Sequence, residues 1–172
     1  TVNSPTVCAG TPATVTATPG VAGTYNYVWT VPTGATDPGN VATFDATISG
    51  TYSVVITNTA TSCVSSSASG IVTINANPTV TVNSPTVCAG TPATVTATPG
   101  AAGTYNYVWT VPTGATDPGN VATFDATVSG TYSVVITDTA TSCTSSSASG
   151  IVTINTNPTV TVNSPTVCAG TP

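Results

Sequence analysis

The sequence predicts an all-β chain built as tandem antiparallel β-sandwiches, and three observations carry that expectation. The 172 residues repeat with a period of 80: TVNSPTVCAGTPATVTATPG fills residues 1–20, returns at 81, and its first twelve letters open again at 161. Apolar and hydroxyl residues alternate with period two in short runs bounded by Pro, Gly, Asn and Asp, the pattern of half-buried strands between tight turns. Each period also places one Trp inside such a run, Trp29 and Trp109.

The two full copies differ at five positions: Val21/Ala101, Ile48/Val128, Asn58/Asp138, Val64/Thr144 and Ala76/Thr156. All five changes are small, so both copies are expected to share one fold. Eighty residues can close a modest core without neighbours, unlike shorter solenoid repeats. The expected units are residues 1–77, residues 78–157, and the first strand and turn of a third copy over 158–172. The broken third copy reads as a window on a longer protein.

Within the first copy, Ala13 to Thr18 alternates small apolar and hydroxyl residues and ends at Pro19-Gly20. Tyr25 to Val31 sets Tyr25, Tyr27, Trp29 and Val31 on one face, expected to carry the core. Pro32-Thr33-Gly34 and Asp37-Pro38-Gly39-Asn40 are turn chemistry. Val41 to Ala46 is the next strand. Gly50 to Thr57 follows, with Tyr52, Val54 and Ile56 on one side. A Ser-rich approach over 65–69 leads through Gly70 to a last strand, Ile71 to Asn75. Ala76-Asn77-Pro78 then joins Thr79 to Asn83, the opening of the next copy, and the Pro leaves that linker little freedom. No segment has helical periodicity. Six or seven short strands, turns every 8 to 12 residues and one core Trp per copy specify a sandwich of immunoglobulin type, with copies arranged head to tail.

Composition removes several functions. The chain has no Lys, Arg or His, and its net charge of −5 comes from Asp37, Asp45, Asp117, Asp125 and Asp138. Nucleic acid and anionic membranes find no cations to grip, and no run of about 18 apolar residues spans a bilayer. Ser and Thr have no His or Lys to activate them, so an enzyme is not expected. Isopeptide crosslinks need Lys and are excluded. Without His or a CxxC pair, a zinc site is a poor reading. Calcium would need Asp37 and Asp45 plus several backbone carbonyls, a thin set for six to eight ligands; no cofactor is expected. Tyr25, Tyr27 and Trp29 form a conceivable sugar-stacking platform, but their parity with Val31 makes them core.

The order V-C-A-G, Y-N-Y-V-W-T, S-G-T-Y-S-V-V-I-T, T-S-C, covering essentially the whole chain, resembles the Ig-like and PKD-like repeats of giant Bacteroidota surface proteins. These include gliding adhesins commonly exported by the type IX secretion system. The resemblance implies an extracellular, cell-surface location. It matches Trp29 and Trp109 to the core Trp, and Tyr52 and Tyr132 to a tyrosine corner, in which the hydroxyl bonds back to nearby backbone. Asp138-Thr139-Ala140 is similar to the O-glycosylation motif of those bacteria, which makes Thr139 a candidate. Val15 and Val54 stand roughly where antibody domains carry their core cysteines, so the cysteines here have another job.

Cys8, Cys63, Cys88, Cys143 and Cys168 alternate separations of 55 and 25, and disulfides in an oxidising setting are the natural reading. In the topology the resemblance implies, Cys8 lies in a turn at the C-terminal end of its sandwich and Cys63 in a loop at the N-terminal end. A strand length of about 20 Å then separates them, beyond disulfide reach. Head-to-tail stacking favours Cys8 with Cys143, with Cys63 reaching back to a preceding copy and Cys88 forward. The alternative, Cys8 with Cys63 and Cys88 with Cys143, stays open.

The expected function is a disulfide-reinforced stalk segment of a surface adhesin or motility filament, whose partners are further copies of the repeat. The alternatives are a laterally assembled filament or sheath, with exposed edges pairing between neighbours, and a repeated weak glycan-binding module. A surface or glycan ligand would be met through a tip outside this stretch.

Overall fold

The computed structural model describes residues 1–170 and is all-β, with no helix among them. In the first copy the strands are β1 (Thr6–Cys8), β2 (Ala13–Thr16), β3 (Tyr25–Thr30), β4 (Thr43–Ala46), β5 (Gly50–Asn58) and β6 (Ala68–Asn75). The second copy runs β7 (Val80–Val82), β8 (Thr86–Cys88), β9 (Ala93–Pro99), β10 (Tyr105–Thr110), β11 (Thr123–Ala126), β12 (Gly130–Asp138) and β13 (Ala148–Asn155).

Each copy is a two-sheet sandwich. The first copy's larger sheet has the order β1-β6-β5-β3, and the second's β8-β13-β12-β10. Opposite them lie β2-β4, which Val2 joins through a bridge to Ala17, and the three-stranded β7-β9-β11. The opening segment of each copy therefore serves both sheets: Val2 or β7 pairs antiparallel with the strand carrying Ala17 or Ala97, then β1 or β8 crosses over and runs parallel to β6 or β13. Such switching gives both sheets a share of one short segment, with Pro5 and Pro85 standing at the crossover.

The core follows the alternation. Ala13, Val15 and Ala17 face inward from one sheet, and Trp29, Tyr52, Val54 and Val72 from the other. Phe44 fills the space between, 4.9 Å edge-on from the Trp29 ring and 5.6 Å from the Tyr52 ring. The same triad recurs at Trp109, Phe124 and Tyr132. Trp29 Nε1 donates to the Val41 carbonyl at 2.9 Å, so its one polar atom is satisfied on burial.

Three elements depart from expectation. β1 and β8 are parallel strands where only a turn is legible in sequence. β6 starts at Ala68 rather than Ile71, taking Gly70 into the strand. A Cβ on Gly70 would collide with the Asn3 carbonyl, and one on Gly150 with that of Asn83, so a residue that reads as a loop marker is instead the point of closest backbone approach. Gly70→Ala is expected to cost at least about 1–3 kcal/mol, an overpacking penalty against rigid backbone, read as a lowered midpoint in urea unfolding. Thirdly, residues 156–168 form no strand. Their equivalents in the second copy pair with β9 and β13, which lie later in the same copy.

The chain divides into two compact units. The first is Thr1–Thr79 together with Ala101–Asn106 and Ile136–Ser145; the second is Val80–Gly100, Tyr107–Val135 and the chain from Ser146 onward. The unit boundaries thus do not follow the 80-residue period: one end of the second copy belongs with the first.

Candidate functional site

The residues that distinguish this chain from a plain sandwich are its cysteines, and Cys8, Cys63, Cys88 and Cys143 sit on locally pinned turns. Cys8 ends β1, opposite Asn75. The Ala9 amide donates to the Asn75 carbonyl at 2.8 Å, and Thr11 N closes a turn on the Cys8 carbonyl at 3.0 Å. Gly10 takes φ 90° at the third position of that turn, a conformation that disfavours any side chain. Asn77, in the linker, donates its side-chain amide to the Ala9 carbonyl at 3.0 Å.

Cys63 lies beyond β5, in a loop organised by Asn58. Its Oδ1 accepts from Ala60 N at 2.9 Å and Thr61 N at 3.1 Å. The Asn58 carbonyl accepts from Ser62 N at 2.8 Å, and the Asn58 amide donates to the Cys63 carbonyl at 2.9 Å. Ser62 is held at φ 58°. In the second copy Asp138 replaces Asn58, and its Oδ1 accepts from Ala140 N at 2.8 Å. Both side chains offer an acceptor oxygen at this point, which explains why the substitution leaves the loop unchanged.

The structure joins Cys8 to Cys143 in a disulfide, with Cα atoms 5.5 Å apart and 135 residues between them in sequence. Both cysteines belong to the first compact unit. Cys143 is fully buried, whereas Cys63, Cys88 and Cys168 are exposed. Cys8 and Cys63, and likewise Cys88 and Cys143, are not joined.

The aspartates serve structure. Asp37 Oδ1 accepts from Gly39 N at 2.9 Å, closing the D-P-G turn. Asp45 Oδ1 accepts from the Thr14 hydroxyl at 2.7 Å across the β2–β4 pair, and Asp125 does the same with Thr94. Asp117 repeats the role of Asp37. Among the described residues no group of three or more His, Cys, Asp or Glu could hold a metal ion. Thr139 is exposed, and its hydroxyl donates to the Thr104 carbonyl at 3.0 Å.

Of the three aromatics on β3, Trp29 is buried, Tyr27 packs half-buried against the core, and Tyr25 sits at the rim with its hydroxyl donating to the Val21 carbonyl at 2.9 Å. Tyr25 therefore contributes less to the core than its parity with Trp29 suggests. Asn40, legible only as a turn residue, plugs the outer edge of β3: its Oδ1 accepts from Tyr27 N at 2.6 Å and its amide donates to Asn26.

Tyr52 and Tyr132 form tyrosine corners, their hydroxyls donating to the Ile48 and Val128 carbonyls at 2.9 Å. Burial pushes both phenols above their ordinary value. The unfolded chain then ionises first, so the associated stability is present below about pH 10 and is lost as pH climbs through the raised folded value. The melting temperature is expected to fall above that pH. Tyr52→Phe should lower stability by about 0.5–1.5 kcal/mol at neutral pH and weaken the alkaline fall, both readable in thermal melts across a pH series.

No protein-family model matches the chain, and no curated protein is similar to it. Solved structures similar to it include strings of Ig domains. A titin I67–I69 variant is 16% identical, with a TM-score of 0.46, covering 90% of this chain. The insect immune protein hemolin is 16% identical, with a TM-score of 0.43 and 89% coverage. The two-domain DIP-gamma fragment is 13% identical, with a TM-score of 0.39 and 90% coverage. The chain spans 64% of the titin fragment's length, 45% of hemolin's and 94% of the DIP-gamma fragment's.

Proposed function

We propose that the chain is a spacer segment of an extracellular fibre, the disulfide-reinforced stalk of a giant bacterial surface adhesin or motility filament of the Bacteroidota type. The observation that carries this reading is the Cys8–Cys143 bond, which ties the first copy covalently to the second beyond their peptide link. A disulfide suits an oxidising compartment, and a repeat that invests its cysteines in linking copies is built for mechanical continuity. The aspartates and the core aromatics support the same reading, since Asp37 and Asp45 are spent on a turn and a strand pair and Trp29, Phe44 and Tyr52 on the core.

The edges bear on lateral assembly. Asn40 occupies the β3 edge, and the outer strand β4 carries Asp45. Plugs and charges on edges discourage strand addition between neighbours, which supports a single string over a sheath. Electron cryomicroscopy of the native fibre tests this. The expected result is one string with an axial step of roughly 35 to 45 Å per copy, set by strands of about seven residues plus loops. Several laterally joined strings would overturn the stalk in favour of a sheath wall.

A further inference from the structure

The two copies present one end in two states. In the second copy Ile136 and Cys143 are fully buried and Ser145 is 9% exposed; these residues group with Cys8 in one compact unit. In the first copy the equivalents are open: Ile56 is half-buried, and Cys63 and Ser65 are exposed. A shallow depression there is lined by Val21, Tyr25, Ile56, Cys63, Val64 and Ser65. We propose that this end of the first copy is a docking surface for another copy of the same repeat, which inserts its V-C-A-G-T-P turn and closes a disulfide onto Cys63.

The second copy identifies the occupant, because there the equivalent cysteine is bonded to the cysteine of that turn, Cys8. Both partners are already in the bonded conformation. The open loop and its bonded counterpart share their hydrogen bonds: Ser65 Oγ accepts from Ile56 N at 3.0 Å, as Ser145 does from Ile136, and Ser62 and Ser142 hold φ 58° and 61°. The donor turn matches too. Thr91 N reaches the Cys88 carbonyl at 3.0 Å, as Thr11 reaches that of Cys8, and Asn157 donates to Ala89 as Asn77 does to Ala9. The loop and turn backbones thus require no rearrangement, which removes a large part of the ordering cost, while two lining side chains differ from the bonded copy, Val21 for Ala101 and Val64 for Thr144. The contact is head to tail, so each docking leaves one socket and one turn free for a further copy.

This deepens the spacer reading and rests on it. The chemistry needs an oxidant of the disulfide class, such as oxidised glutathione: the Cys63 and Cys88 thiols of two chains each lose a proton, two electrons pass to the oxidant's S–S bond, and two reduced thiols leave as one interchain disulfide forms.

The 172-residue chain carrying Cys168→Ser is incubated concentrated in a glutathione redox buffer, and crosslinked peptides are mapped with a protease that cuts at aromatic residues, since trypsin has no site. Docking predicts head-to-tail oligomers in which Cys63–Cys88 exceeds each symmetric pair by about tenfold or more. Chains with Cys88 alone (C63S/C168S) and Cys63 alone (C88S/C168S) should dimerise on mixing and stay monomeric apart. The statistical mixture of the three pairs, or no interchain bond at all, would overturn the proposal. Pair selectivity is independent of the fibre's axial step, so failure here and failure of the stalk reading are distinguishable.

Discussion

Pulled from its two ends, the oxidised chain should lengthen by about 450 Å less than the chain in reductant. The Cys8–Cys143 bond hides 135 residues from the applied force, and each residue contributes at most about 3.3–3.6 Å of extension. Single-molecule force spectroscopy reads this as missing contour length that reappears on adding a reducing agent. The pairing of Cys8 with Cys63 and Cys88 with Cys143 would hide only two loops of about 55 residues, a deficit nearer 370 Å by the same reach. Cys8→Ser or Cys143→Ser should behave like the reduced chain. By chain-entropy accounting a loop of this size also stabilises the linked segment by about 5 kcal/mol, so the urea midpoint should drop on reduction.

Trp29→Ala is expected to cost about 3–5 kcal/mol, the range for removing a buried aromatic that its surroundings cannot replace. The site is poorly placed to collapse. Phe44 packs edge-on to the indole, Tyr52 packs on Phe44, and Val15 and Val54 lie in the same core cluster with no disulfide between the sheets. The indole N–H also holds the Val41 carbonyl, which loses its partner. Because Trp109 sits in an equivalent triad, Trp109→Ala should cost a similar amount. Far-UV circular dichroism in denaturant, which follows the strands of both copies whichever indole is missing, measures both. A loss below about 1 kcal/mol would mean the triad is not the centre of the core.

Strands with period-two alternation were legible because burial is one-sided: β2 sets Ala13 and Val15 inward and hydroxyls outward, and β3 and β5 bury Trp29, Tyr52 and Val54 at alternate positions. β1 was not, for two physical reasons. Three residues, Thr6, Val7 and Cys8, are too few to display a period, and the strand exists only by parallel pairing with β6, a partner far along the chain. The start of β6 was hidden by its own composition, since Ser69 and Gly70 read as loop residues and enter the strand by pairing with Ser53 and Tyr52 of β5. At the cysteines, spacing alone left two pairings open, and only the ends at which the loops emerge discriminate between them. Asn40 reads locally as a turn former; its service to the β3 edge depends on tertiary placement that no local pattern carries.

The parallel β1–β6 pairing has a consequence for how such a chain acquires its structure. Thr73 pairs with Thr6, 67 residues away, yet an identical Thr-Val-Cys segment begins only 13 residues downstream at Thr86. Closing the shorter loop is entropically cheaper by about 1.5 kcal/mol, so the neighbour's strand is a close competitor for the same slot on β6. Pro78 and Pro85 lie within the stretch that such an exchange would have to bend. Near-perfect copying therefore places a second, identical segment within a short stretch of chain from the slot that β1 fills.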